Sequence, residues 1–395
     1  MATHTIPSGS PIISVDAKFL ITIQTVQKLF EGKFDVITSL NEQAALALFL
    51  AFQRVTRIEN GFWNTYIDMI PKDFNTVAAN LPPTLFALLP YQIQAHAKKQ
   101  MQTFDKDYDS VVKLVGDSIP AISKEEYRWA WFAVNTRCIT LNTTLPTTKY
   151  SAPKSKAKKG TPKIALAPFL DMLNHSPTAK INANFDPVAK AFVITALEEV
   201  SAGTECFITY GAHDNAFLLA EYGFVISDPL LGSGNEFWVH NQYDFVSVDR
   251  EIIGLEVPGE KEGLRERIMS ELEGAGLFGD YTLHLDQESY RVMNALRLYA
   301  CMTNPAEFKG QLNRWKMVVN GQLEVVSPEN ERITKGLLKT ICTNLILNIS
   351  ESINRLDDRK SGPELGKDGE IQMHFVRTVL ESALSILKWN ESQCK

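Results

Sequence analysis

Apolar and polar residues along this chain change their spacing from place to place, and the changes mark its parts. Residues 1–23 carry two β-prone runs, Ile12-Ile13-Ser14-Val15 and Phe19-Leu20-Ile21-Thr22-Ile23, punctuated by Pro7-Ser8-Gly9-Ser10. Helical spacing then takes over. Ser39 and Glu42 stand three apart, as in a capping box, ahead of Ala44-Ala45-Leu46-Ala47-Leu48-Phe49-Leu50. That segment is apolar nearly all round, which predicts a buried helix. Residues 80–122 keep the helical spacing, with breaks at Pro82, Pro83 and Pro120. Ser123 and Glu126 form a second box and open a helix with Tyr127, Trp129, Ala130, Trp131 and Val134. It should end near Thr136-Arg137, where Cys138-Ile139-Thr140-Leu141 reads as a strand.

Residues 146–163 form a Pro/Lys/Ser/Thr/Gly tract with almost no apolar content, and they read as a loop. Its lysines, Lys154, Lys156, Lys158 and Lys159, fit a solvated insertion better than a basic interaction patch or an import signal. Residues 164–226 return to short β-like runs: Ile164 to Ala167, Ala191 to Thr195 and Cys206 to Tyr210. Asp214-Asn215 is a helix start for Ala216 to Ala220. From about 260 onward the pattern is helical again. Val292, Leu296 and Tyr299 share a face, as do Leu338, Ile341 and Leu345, and Val376, Leu380, Ala383, Leu384 and Leu387. This predicts a separate helical domain, and no internal repeat is found.

Length and composition narrow the field. A chain of 395 residues suits two domains or three. Apolar residues make up 45% and charged residues 22%, as in ordinary globular proteins. A net charge of −6 argues against a generic nucleic-acid binder, which would carry a basic excess. No window is long and apolar enough to predict a transmembrane helix, so no membrane partner is expected. The N-terminus lacks the basic and apolar regions of a signal peptide. Five scattered cysteines without a C-x-x-C pair point to a reducing compartment, cytoplasmic or nuclear, and to no structural zinc or other metal site.

Candidate chemistry gathers around Asp171-Met172-Leu173-Asn174-His175-Ser176, Ile208-Thr209-Tyr210-Gly211 and Tyr222-Gly223-Phe224. Polar groups set among apolar strands need partners. Arg137, at a helix exit, can hold a carboxylate with two prongs or simply pair with the helix dipole. The Asn174 amide can read an adenine edge or a backbone, and a structural turn is the plainer alternative. The Tyr210 phenol can orient an amine or merely pack. Phe224 can stack on a base or fill the core. Other chemistries find no support. Gly362 to Asp368 misses the phosphate-loop spacing, Gly232-Ser233-Gly234 is no dinucleotide fingerprint, and neither H-E-x-x-H nor G-x-S-x-G occurs.

Taken in order, four stretches resemble one family. They are Trp129 to Arg137, Leu166 to Pro177, Glu205 to Gly211, and His213-Asp214-Asn215 with Glu221 to Val225. Their order resembles the SET-domain methyltransferases of the Rubisco large-subunit methyltransferase type, over roughly residues 1–228. The resemblance implies an α+β fold: a SET domain of small curved β-sheets with a knot-like core where the Asn-His and Tyr-Gly segments cross. It implies a helical insertion at about 25–160 and, at 260–395, an all-α domain similar in character to that group's substrate-binding domain.

The same resemblance implies S-adenosylmethionine as cofactor and a lysine-bearing, non-histone protein as substrate. Arg137 would face the cofactor carboxylate. Asn174 and His175 would contact the cofactor and Phe224 would lie against its adenine. Tyr210 would stand beside the transferring methyl, and Thr136, Asp171 and Tyr222 would line the substrate channel. In this family a G-x-G turn lies just upstream of the stretch resembling Ala2 to Gly9, and this chain begins at Met1, after that place. The departure keeps a cofactor-poor, peptide-binding pseudoenzyme in view beside the lysine methyltransferase. Histidine methylation, performed in the wider group, is the third reading.

Overall fold

Strand formation follows the apolar runs only where backbone donors are left for a ladder. The computed structural model describes residues 1–141, 163–226, 241–256, 264–302, 307–360 and 367–394. Almost all of the lysine-rich tract, Gly232-Ser233-Gly234 and Gly362 to Gly366 lie outside them. The strands are β1 (Pro11–Asp16), β2 (Ile139–Leu141), β3 (Lys163–Ala165), β4 (Ile181–Asp186), β5 (Ala191–Ala196), β6 (Phe245–Ser247) and β7 (Thr282–His284). The chain divides into two units. One holds residues 1–80, 95–213 and 220–223, the other 81–94, 214–219 and 224–395.

In the first unit, β5 is the central strand of an antiparallel sheet of order β1-β5-β4. Val15 and Phe185 both register against Phe192, and Ala183 registers against Ile194. Val15, Phe192 and Ile194 are buried in one cluster with Leu141, Ala165, Ala167, Leu170 and Ile208. β4 was not expected: Asn182, Asn184 and Asp186 are poor strand formers, and pairing with β5 overrides them. β2 and β3 make a second antiparallel pair, Ile139 opposite Ala165.

Two expected strands are shorter than their apolar runs. In Phe19 to Ile23 only Ile21 bridges, to Leu166. Thr22 and Thr25 then cap each other's backbone and start the helix Ile23–Leu29. In Cys206 to Tyr210 only Ile208 bridges, in parallel to His175. The next N–H groups go to side chains, Tyr210 N–H to the His175 ring and Gly211 N–H to Thr209 Oγ1, so no ladder continues.

The helices of this unit carry a large core. The helix Glu42–Thr56 is buried without a break from Ala44 to Gln53, as its all-round apolar sequence predicts. Each large apolar side chain so buried contributes roughly 1.5–3 kcal/mol. Its cap is not Ser39, which ends the short helix Val36–Ser39. Asn41 accepts from Ala44 N–H at 2.8 Å and donates its amide to Asp107 at 2.6 Å. Glu42 instead accepts from Ile164 N–H in β3, at 2.7 Å. At the second box Ser123 does cap Glu126 N–H, at 3.1 Å, while the Glu126 carboxylate faces Arg54 at 3.5 Å.

The second unit is helical in its later part: Leu264–Gly274, Tyr290–Cys301, Phe308–Val319, Pro328–Lys360 and Lys367–Ser392. Val292, Leu296, Val376 and Leu380 are buried along the faces that their spacing predicts. Among the described residues of this unit β6 pairs with β7, Val246 opposing Leu283. Buried Asp244 accepts from Asn215 N–H at 2.7 Å and from Ser382 Oγ at 2.5 Å. Among the described residues no helix is long and apolar enough to cross a membrane.

Candidate functional site

Arg137 is the last residue of the helix Lys124–Arg137, whose Trp131, Phe132, Ala133 and Val134 are locked in the core. It therefore enters the site from a rigid element. Its Nη1 donates to the Asp171 main-chain carbonyl at 2.8 Å and stands 3.6 Å from Asp171 Oδ2. The Asp171 side chain is fully enclosed, on the 3-10 turn Leu170–Met172. Phe169, just before that turn, has φ 70° and is 67% exposed. Burial pushes the Asp171 carboxyl above its usual range, against the opposing pull of Tyr66 and Arg137.

Tyr66, on the helix Asn64–Met69, donates its phenol to Asp171 Oδ2 at 2.8 Å. Burial, with the adjacent carboxylate, holds this phenol far above its ordinary range. Arg137 Nε and Asp171 Oδ1 are buried and have no hydrogen-bond partner among the described residues. A buried donor and a buried acceptor left open are costly unless a ligand meets them.

The Asn-His and Tyr-Gly segments run side by side. Ile208 N–H donates to Asn174 O and Ser176 N–H to Ile208 O, each at 2.9 Å. This meeting brings the His175 and Tyr210 rings to 5.1 Å. His175 Nδ1 accepts from Tyr210 N–H at 3.1 Å, so the neutral ring carries its proton on Nε2. Burial holds the ring below its ordinary value, which keeps it neutral near pH 7.

The Tyr210 phenol donates to Leu173 O at 2.8 Å, and its pKa is raised by burial. Its proton is thereby committed, and toward a ligand the oxygen is an acceptor. The Tyr222 ring lies 4.9 Å from that of Tyr210, and burial pushes its phenol up to about 12. Such a pair contributes about 0.5–1.5 kcal/mol beyond its buried area. Gly211, at φ 138°, gives room to His213, whose Nε2 meets Tyr210 O at 3.1 Å; a Cβ there would run into that ring.

Glu221, beside Tyr222, is the centre of a polar network that sequence reasoning missed. Its carboxylate meets His96 Nε2 at 2.5 Å and accepts from Gln100 at 3.0 Å and from Asn135 at 2.6 Å. Asn135 also reaches the Glu221 carbonyl, at 3.3 Å. No local pattern around Asn135 hints at this, because its partner lies 86 residues away.

Of the residues singled out in the sequence, the structure gathers Arg137, Asp171, His175, Tyr210 and Tyr222. The Asn174 side chain turns outward and donates to Glu205 at 2.6 Å. Thr136 Oγ1 donates back into its own helix, to Phe132 O at 2.9 Å. Phe224 belongs to the other unit, half-buried two residues before Ile226, whose N–H and C=O both pair with the Asn215 amide. No group of acids, histidines and cysteines able to hold a metal occurs among the described residues.

Comparison with known proteins identifies the fold and the family. The human SET domain-containing protein 4 is 30% identical over 381 residues, spanning 91% of this chain and 78% of its own. An actin-histidine N-methyltransferase of Drosophila melanogaster is 28% identical over 284 residues, 69% of this chain and 49% of its own. The crystal structure of the SET domain of LSMT bound to lysine and AdoHcy superposes with a TM-score of 0.67 at 16% identity, covering 99% of this chain and 83% of that one. The α+β fold of small sheets with a helical insertion is thus the SET fold. The SET domain family model matches residues 1–211, more than half of the sequence, and the chain belongs to the SET-domain methyltransferase family.

Proposed function

We propose that this chain transfers a methyl group from S-adenosylmethionine to a lysine of a non-histone protein. The observation that carries the reading is the convergence of Tyr210, Tyr222, Arg137 and Asp171, with a donor (Arg137 Nε) and an acceptor (Asp171 Oδ1) buried and open. These residues of the first unit fit the cofactor: Arg137 suits its carboxylate, and the Asn174 and His175 backbone suits the rest. When bound, the cofactor supplies a methyl activated on a sulfonium. Relatives support the reading: LSMT is a SET protein seen with lysine and AdoHcy.

The residues of the chain do the remaining work. An incoming lysine, with an ordinary pKa of about 10.4, must lose its proton to present a lone pair. Burial beside Tyr210 and Tyr222 disfavours the charged amine and lowers that value. The Tyr210 oxygen, its own proton held by Leu173, accepts from the amine and orients it. We assign Asp171 to the wall of the same channel. Alignment of this kind supplies effective molarities on the order of 10⁵ M or more, so no strong base is required. We assign this chemistry to residues 1–228, with their helical insertion at 25–160. We assign protein-substrate docking to the helical domain at 260–395.

The test is transfer of labelled methyl from S-adenosylmethionine to protein in a cell extract, followed by mass spectrometry of the modified residue. Methyl-lysine supports the proposal. Methyl-histidine favours the second reading, which the fruit-fly relative motivates. No transfer, with no cofactor binding by calorimetry, rejects both and leaves a peptide-binding pseudoenzyme.

A further inference from the structure

Tyr66 lies far from every motif singled out in the sequence, on a short helix of the insertion, yet its phenol ends on the carboxylate at the centre of the site. Both neighbouring donors crowd one oxygen of Asp171. Tyr66 is hydrogen-bonded to Oδ2 at 2.8 Å, and Arg137 Nη1 is 3.6 Å from the same atom. Oδ1 has no hydrogen-bond partner among the described residues, in a side chain that is fully enclosed. A carboxylate rotates freely about its last bond unless one oxygen is fixed. Here a phenol on a different element fixes it and thereby sets where the other oxygen points.

We propose that Tyr66 is a positioning residue of the methyl-transfer site: it pins Asp171 Oδ2, so that Oδ1 is presented to an N–H of the acceptor side chain. The proposal rests on the methyltransferase reading for the identity of that acceptor. The titratable groups around the carboxylate are Tyr66, Arg137 and Tyr210. The phenol opposes the upward push of burial on Asp171, so its removal raises that pKa further. Tyr66→Phe keeps the ring and its packing and deletes only the hydroxyl.

The experiment follows the carboxyl carbons of the aspartates by carbon-13 NMR in the full chain, with Asp171 assigned from its loss in Asp171→Asn. Each sample is titrated with pH and then with L-lysine as the amine probe. In Tyr66→Phe, Asp171 is expected to titrate at higher pH. Half-saturation by lysine is expected to need about tenfold more probe, the scale of one charge-assisted hydrogen bond. An Asp171 titration that is the same in both chains overturns the proposal, as does a wild-type Asp171 signal that lysine does not move. Methyl transfer is measured in a separate assay. Its absence there, with the NMR result intact, strikes the proposed activity and spares the pairing of Tyr66 with Asp171.

Discussion

Replacing Gly223 with alanine isolates how tightly the Tyr222 segment is held. Gly223 has φ +77°, where an L side chain costs about 1–2 kcal/mol. A Cβ there would stand 2.8 Å from Thr76 Oγ1 and 2.9 Å from both Val77 Cγ2 and Val77 N. The backbone nitrogen cannot move aside cheaply, so overpacking adds about 1–3 kcal/mol. Gly203 is the control: its φ is +79°, and nothing lies within 4 Å of its would-be Cβ. Both glycines belong to the same unit. Gly203→Ala is expected to lose about 1–2 kcal/mol, and Gly223→Ala about 2–5 kcal/mol. Urea unfolding followed by tryptophan fluorescence reads the two losses side by side. Equal losses would refute the close approach of residue 223 to residues 76 and 77. If the difference appears, Gly223→Ala should also displace the Tyr222 ring from Tyr210 and lose methyl transfer that Gly203→Ala retains.

Tyr210→Phe should reduce turnover at least about a hundredfold, because one oriented acceptor in the reacting site is lost; calorimetry should find cofactor binding little changed, and near-full turnover would remove the assigned role. Asn41→Ala should cost about 1 kcal/mol of stability through the lost cap, whereas Ser39→Ala should change it by less than about 0.5 kcal/mol; a reversed order in thermal unfolding would restore the cap to Ser39. Glu221 is buried, which raises its pKa, but His96, Asn135 and Gln100 outweigh burial and hold it below 4.5. Its folded pKa thus lies below the unfolded one, so it contributes stability that is present above about pH 4.5 and lost as pH falls through the folded value. Glu221→Gln should flatten the acid limb of a stability–pH curve, and an unchanged slope would count against the pairing.

What the residues disclosed in advance was local. Ser123 capping, the buried helix from Ala44 onward, and Arg137 at a helix exit all follow from spacing within a few positions. The meeting of Asn174-His175 with Ile208 was legible only through the family resemblance, since nothing in either segment names the other. Failures came where one side chain competed with another at long range. Ser39 lost its cap to Asn41 because Asn41 has a second partner in Asp107. Glu42 was drawn to Ile164 across 122 positions, and Tyr66 to Asp171 across 105. The Phe19 to Ile23 and Cys206 to Tyr210 runs had strand composition, but threonine and histidine side chains took backbone groups that a ladder needs.

One amide ties together two of the groups assigned to the reaction. Asn135 grips both the carboxylate and the main-chain carbonyl of Glu221, two positions before Arg137 and one before Tyr222. The guanidinium and the phenol are therefore mounted on a common joint rather than on two independent arms. A tilt of the helix Lys124–Arg137 carries Tyr222 along with it, so the spacing across the site survives motions that would shear an unlinked pair.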